Sequence, residues 1–311
     1  MASRKVKFGV TLPQWGATWS EAKDIALLAE SVGFDSVWVA DHMLAVGGDD
    51  PLEAWTEMSA VAAVTRRIDI GFLVLCNSYR HPPMLAKMAT TFDHISQGRL
   101  IVGYGAGWHV QEYEAYGYEY PSMRTRLEQL EEGLEVLKRM WTQESPTFHG
   151  VHYHIENARC WPPTVRKPHP PILVGGAGEK ILLKIVARYA DIWNNLGMFH
   201  GQVADKANVL RAHCEKIGRN FDEIEISQQT LGAIASSKDE ARRRTDEVMS
   251  EIGFLTGAPE LCPTGTPDEI VARLHKSVAL GITSFVISFG RHATADSLEL
   301  FGKEVIPAFR S

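Results

Sequence analysis

The sequence predicts a closed (β/α)8 barrel, and three observations carry that prediction. Short apolar, β-prone runs alternate with amphipathic helical stretches eight times along the 311 residues. The runs are mostly apolar from end to end, as strands of a parallel sheet buried on both faces must be. The chain is 45% hydrophobic and 23% charged, ordinary globular composition, and α/β barrels of this length form one domain. A single domain over residues 1–311 is therefore expected.

Each element has its own signal. Residues 6–12 form a first strand that ends in Pro13-Gln14-Trp15-Gly16. Ser20 is the expected cap of a helix whose Ile25, Leu28, Ala29 and Val32 recur at helical spacing, and Gly33 ends it. The second strand opens at Ser36 and its apolar pattern stops at Asp41-His42. Pro51-Leu52 opens a helix to about Arg66, and residues 68–76 form the third strand. Pro82-Pro83 starts a helix that Gln97-Gly98 stops. Residues 99–107 form the fourth strand, and a helix over 122–141 carries Leu127, Leu130, Leu134, Leu137 and Trp141 on one stripe.

Between residues 142 and 170 the rhythm breaks into a hairpin-like alternation followed by prolines, which we read as an insertion in the barrel. Strands over 171–176, 191–196, 224–229 and 282–289 then alternate with helices over 179–189, 203–217, 238–249 and 266–280, and a closing helix runs to Phe309. The insertion and the segment 253–263 are expected to shape a substrate pocket.

Composition excludes several classes. The net charge of −6 argues against nucleic acid as the main partner. Cys76, Cys160, Cys214 and Cys262 lie far apart with no Cys-x-x-Cys, so neither a zinc cage nor a disulfide framework is indicated. No apolar run has the length of a membrane span, and the N-terminus lacks the apolar core of a signal peptide. A cytoplasmic protein is expected.

In such a barrel the site forms where the strands end. Those ends bring Trp15, Asp41, His42, Cys76, Asn77, Gly105, Ala106, Gly107, Trp108 and Glu112 toward one mouth. From the second half come Gly175, Gly176, Ala177, Gly178, Trp193, Asn194 and Arg291. The set is aromatic, amide-rich and glycine-rich, and holds one acid/base of neutral range, His42, without a nucleophile paired to a base. That suits a large planar cofactor better than hydrolysis. Asp41-His42 reads either as chemistry at the mouth or as a structural pair capping the next loop. Gly175 to Gly178 reads either as a phosphate seat or as a tight turn. Arg291 would meet an anionic ligand or form a structural salt bridge. His149, His152 and His154 lack a carboxylate or cysteine at ligand spacing, so no metal is expected.

Five stretches in order resemble the bacterial luciferase-like flavin and deazaflavin oxidoreductases. They are Gly-Phe-Asp-Ser-Val-Trp-Val-Ala-Asp-His (33–42), Tyr-Arg-His-Pro-Pro-Met-Leu-Ala-Lys (79–87) and Phe-Asp-His-Ile-Ser-Gln-Gly-Arg-Leu (92–100). Gly-Ala-Gly-Trp (105–108), with Glu-Tyr and Tyr-Gly downstream, and Pro-Pro-Ile-Leu-Val-Gly-Gly (170–176) complete the set. The resemblance implies a TIM-like barrel, commonly dimeric, that holds an isoalloxazine or 5-deazaisoalloxazine ring at its mouth. His42 matches the family's active-site histidine. The strand carrying Leu73 and Val74 matches the one with a non-prolyl cis peptide behind the ring, and Gly175-Gly176 matches the cofactor-phosphate loop. Glu112 is our own candidate from its place after a strand end.

The compact length and Gly-Ala-Gly-Trp look like the branch that uses coenzyme F420. The expected function is hydride transfer between F420 and a small organic substrate, with His42 as general acid or base oriented by Asp41. A reduced-FMN-dependent monooxygenase and a non-catalytic flavin- or deazaflavin-binding barrel are the alternatives.

Overall fold

The computed structural model describes residues 5–45, 49–290 and 293–310. In chain order its elements are β1 (Lys7–Thr11), α1 (Trp19–Val32), β2 (Ser36–Val39), α2 (Ala54–Val64), β3 (Asp69–Phe72), β4 (Leu75–Cys76), α3 (Pro82–Ser96), β5 (Leu100–Gly105), α4 (Val110–Tyr116) and α5 (Met123–Thr142). There follow β6 (Phe148–His149), β7 (His154–Ile155), β8 (Ile172–Gly175), α6 (Leu182–Tyr189), β9 (Ile192–Asn195), α7 (Val203–Lys216), β10 (Glu225–Leu231), β11 (Ala233–Ile234), α8 (Lys238–Ile252), β12 (Thr264–Gly265), α9 (Pro267–Ala279), β13 (Ser284–Ser288) and α10 (Ala295–Leu300).

Eight parallel strands close the barrel. β1, β2, β3, β5, β8, β9, β10 and β13 pair in that order, and β13 returns to β1. The expected third strand is two pieces. β3 stops at Phe72, the Leu73–Val74 peptide is cis as the resemblance implies, and β4 then pairs with the end of β5.

Strand alternation sorts side chains into two faces. Trp38, Ile101, Leu173, Ile192 and Val286 fill the barrel interior together with Leu73 and Val74. Trp38 spans the interior because Gly9 and Gly71 make room, since a Cβ on either would collide with its indole. By the same alternation Gly105, Gly175 and Asn194 face inward, one layer nearer the mouth. Trp193 faces the opposite way, into the core between sheet and helices.

Several boundaries differ from expectation for local reasons. Thr18, not Ser20, caps α1, because Glu21 closes a capping box with it, while Gly33 ends the helix at φ 96°. Glu53 caps α2 through the N–H groups of Trp55 and Thr56, so Pro51-Leu52 precedes the helix. α6 begins at Leu182, after a turn over 179–181, and does not directly follow the Gly175 to Gly178 loop.

The 142–170 insertion straps the outside of the barrel. Glu132 of α5 accepts the N–H groups of Val151, His152 and Tyr153 in the β6–β7 hairpin, and Asp93 of α3 accepts that of Arg166. It therefore packs on α3 and α5, whereas residues 253–263 pack against the turn after β9, with the Gly257 N–H donating to the Gly197 oxygen at 3.2 Å. No helix among the described residues is long and apolar enough to cross a membrane.

Glu57 stands on the buried face of α2 with both carboxylate oxygens unpartnered among the described residues. Burial, and then the neighbouring Glu53, push its pKa up to about 7. A raised carboxyl pKa lowers stability as pH rises from the unfolded value through 7, because the folded state then binds the extra proton. Glu57→Gln should stabilise the protein at pH 8 by on the order of 3 kcal/mol and change little at pH 4. Thermal melts at the two pH values check this, and an equal effect at both would contradict it.

Candidate active site

The mouth is organised by a carboxylate. Glu112, on the short helix α4, is only 1% exposed, yet every direction around it offers a donor. His42 Nδ1 lies 3.1 Å from each carboxylate oxygen. The Met43 and Leu44 N–H groups donate to Oε1 at 2.5 and 3.0 Å, and the Tyr79 hydroxyl donates to Oε2 at 2.7 Å. Burial opposes ionisation, but the bonds from His42, the Leu44 N–H and Tyr79 outweigh it and bring Glu112 down to about 2. An ionised carboxylate can only accept, so His42 Nδ1 must carry the proton. Nε2 is left as the free nitrogen.

Aromatic rings surround that imidazole. Trp15 lies 5.8 Å away, Trp108 5.6 Å and His109 5.6 Å, centroid to centroid. Trp108 is 58% exposed and stacks on His109 at 5.1 Å. Aromatic rings beside an imidazole make a site that can hold a small organic molecule and exchange a proton with it.

Asp41 does not orient His42. Its two oxygens accept a forked pair of bonds from Arg80, at 2.7 and 3.0 Å, and the Cys76 N–H at 2.8 Å. Arg80 also holds Glu53. Asp41 thus ties the loop after β2 to β4, and Glu112 takes the role expected of it. Neither Arg80 nor His109 was among the sequence candidates.

Other candidates are spent on protein contacts. Cys76 is buried, with its thiol 3.2 Å from the Tyr113 hydroxyl, and burial pushes that thiol up to about 11. Asn77 accepts from Tyr104 at 2.6 Å and donates to Tyr153 at 3.0 Å, facing away from the mouth. A Cβ on Gly105 would sit 2.6 Å from Val74, and one on Gly107 would collide with Tyr113. These glycines clear space for the protein's own bulge at Leu73–Val74 and for Tyr113, where room for a ligand had been expected. Ala106 packs on the core beside them. Asn194 is buried inside the barrel, giving one bond to Ser227 at 3.2 Å, and its Oδ1 has no partner among the described residues. Arg291 lies outside the described residues.

The Gly175 to Gly178 loop is held from behind. Trp193 is fully buried and donates its indole N–H to the Gly176 oxygen at 2.8 Å, so it positions the loop from the core and not from the mouth. Among the described residues the Ala177, Gly178 and Glu179 N–H groups donate to no protein group.

His42, His109 and Glu112 also present three ligand atoms within 4.8 Å of one another. Glu112 already accepts from two backbone N–H groups and a hydroxyl, so the trio reads as a hydrogen-bonded cluster and not as a metal site. The hairpin histidines turn to separate carboxylates, His149 to Glu156 at 2.8 Å and His152 to Glu128 at 3.5 Å.

The mouth of this parallel barrel combines two imidazoles, His42 and His109, set against one buried carboxylate with the rings of Trp15 and Trp108. The family model for luciferase-like monooxygenases matches residues 5–260, and the chain belongs to that family. It is 28% identical to an F420-dependent glucose-6-phosphate dehydrogenase of Amycolatopsis mediterranei, over 99% of both chains. Two solved structures share its fold. A monooxygenase from Streptomyces bottropensis has a TM-score of 0.82 at 23% identity, covering 97% of this chain and 99% of that one. An F420-dependent secondary alcohol dehydrogenase in complex with an F420–acetone adduct has 0.83 at 20% identity, covering 99% and 100%.

A carboxylate pKa held down stabilises the fold above its unfolded value, and the contribution is lost as pH falls through the folded value. Glu112→Gln should therefore cost on the order of 3 kcal/mol at pH 7, with the gap to the parent closing as pH drops from about 4.5 toward 2. Denaturant unfolding across that range checks the sign. A gap that widens on acidification would contradict it.

Proposed function

We propose that this protein is an F420-dependent oxidoreductase that transfers hydride between the deazaflavin and a small organic substrate, with His42 as the proton carrier. The observation that carries the reading is the fixed tautomer of His42, which leaves Nε2 beside Trp15 and Trp108 while Nδ1 is held by Glu112. Support for the cofactor comes from the F420-dependent relative that aligns along the whole chain. Further support comes from this chain's own residues: the N–H groups of 177–179 and the Asn194 Oδ1, which have no partner among the described residues.

In this reading the loop from Gly175 to Gly178 would hold the phosphate and Val74 would form the floor of the ring's site. The deazaflavin, when bound, would supply the hydride chemistry. The protein supplies position and a proton path. Neutral His42 accepts the proton of a substrate hydroxyl at Nε2, and the resulting imidazolium is stabilised by Glu112 across the ring. In the opposite direction the imidazolium donates from Nε2 to the substrate oxygen. Trp15 and Trp108 hold the substrate and keep water from the proton path. The whole chain acts as one domain, and family resemblance supports a cytoplasmic homodimer.

His42→Ala should leave deazaflavin affinity nearly intact and lower turnover by roughly two to four decades, the usual reach of general acid/base catalysis. Binding read by fluorescence, beside steady-state rates on an alcohol and carbonyl panel, separates the two effects. Unchanged turnover would remove His42 from the mechanism.

A further inference from the structure

The loop after β8 keeps its carbonyls and its N–H groups in opposite conditions. The Gly176 oxygen accepts from Trp193 at 2.8 Å and the Gly178 oxygen from the Leu183 N–H at 3.0 Å. The Ala177 oxygen accepts from Lys206 Nζ at 3.2 Å, and the Glu179 oxygen from His213 Nε2 at 2.9 Å. The carbonyls from 176 to 179 are thus occupied, while the N–H groups from 177 to 179 remain free for an anion.

Lys206 is the unusual member. It projects from α7 into the core, where it is 6% exposed, and its ammonium lies 4.8 Å from the centre of the Phe199 ring. A buried ammonium needs a counter-charge. It finds one in Glu179 Oε1 at 3.2 Å, on a side chain that is half exposed at the loop's own end. The only formal charges held directly on the loop's described contacts therefore cancel, one positive and one negative. What remains to meet an anion is a set of N–H dipoles.

We propose that the Lys206–Glu179 pair sets the charge this loop accepts, so that it seats a singly charged phosphodiester in preference to a phosphomonoester dianion. The inference rests on the cofactor reading above and deepens it, because the phosphate of F420 is a diester while that of FMN is a monoester carrying close to two charges at neutral pH. The physics is a difference in scaling. Desolvation of an ion grows with the square of its charge, whereas attraction to fixed dipoles grows only in proportion. Neutral dipoles suffice for one charge and fall short for two. An uncompensated lysine would reverse that balance.

The test is a fluorescence titration with three probes that share the deazaflavin ring and ribityl chain and differ only at its end: the free alcohol, its phosphate monoester and its methyl phosphodiester. The ratio of the alcohol's dissociation constant to that of each ester isolates the monoester and the diester. In the parent protein the diester should improve binding more than the monoester. Glu179→Gln, at a half-exposed position, leaves Lys206 uncompensated. It should raise the monoester ratio about tenfold and the diester ratio about threefold, following the charge on each phosphate. Lys206→Met should lower both, the monoester ratio more. High salt should shrink these changes. Ratios that stay within twofold of the parent in Glu179→Gln, or that move equally, would overturn the role of the pair while leaving the cofactor reading intact. A parent protein that binds none of the three probes would overturn the cofactor reading and this inference with it.

Discussion

The carboxylate of Glu112 receives hydrogen bonds from the loop after β2 and from the turn after β4, and through them it fixes the geometry of the mouth. Buried charges are costly unless fully paired. Here four donors converge, and two of them are backbone N–H groups whose positions depend on the barrel being closed. The consequence reaches the chemistry. Because Glu112 stays ionised and can only accept, the His42 nitrogen that faces it, Nδ1, carries a proton.

A second constraint runs through Val74. The bulge at Leu73–Val74 projects into the interior, and its neighbours on β5 and β8 give way to it: Gly103, Gly105 and Gly175 each face Phe72 or Val74 where a Cβ would crowd them. The glycines that look like ligand space in the sequence are complementary in shape to the protein's own Val74 side chain and Phe72 carbonyl. The bulge is flanked by the loop of 176–179, whose carbonyls Trp193 and Lys206 hold in place.

Much of this was legible in the sequence, and the rest was hidden for identifiable reasons. Eight apolar runs marked the strands because parallel strands are buried on both sides. His42 stood out as the place where an apolar pattern stops on a titratable group, and Glu112 followed from lying just past a strand end. Asp41 misled through adjacency: consecutive residues leaving a strand diverge, so Asp41 meets Arg80 while His42 meets Glu112. Asn77 and Trp193 were mistaken for mouth residues because a strand end exposes only alternate side chains. Lys206 did carry a signal that went unread. It falls on the stripe Val203, Lys206, Ala207, Leu210, Cys214, which is otherwise apolar and buried. Glu57 breaks the buried face of α2 in the same way.

The proposed function requires a mouth that takes a deazaflavin in preference to FMN. The most direct measurement is a fluorescence titration of the purified apo-protein with F420 and FMN side by side, followed by oxygen uptake with whichever binds. The account predicts clear preference for F420 and no oxygen consumption during turnover. Preference for reduced FMN with oxygen uptake would contradict it and make the protein a monooxygenase.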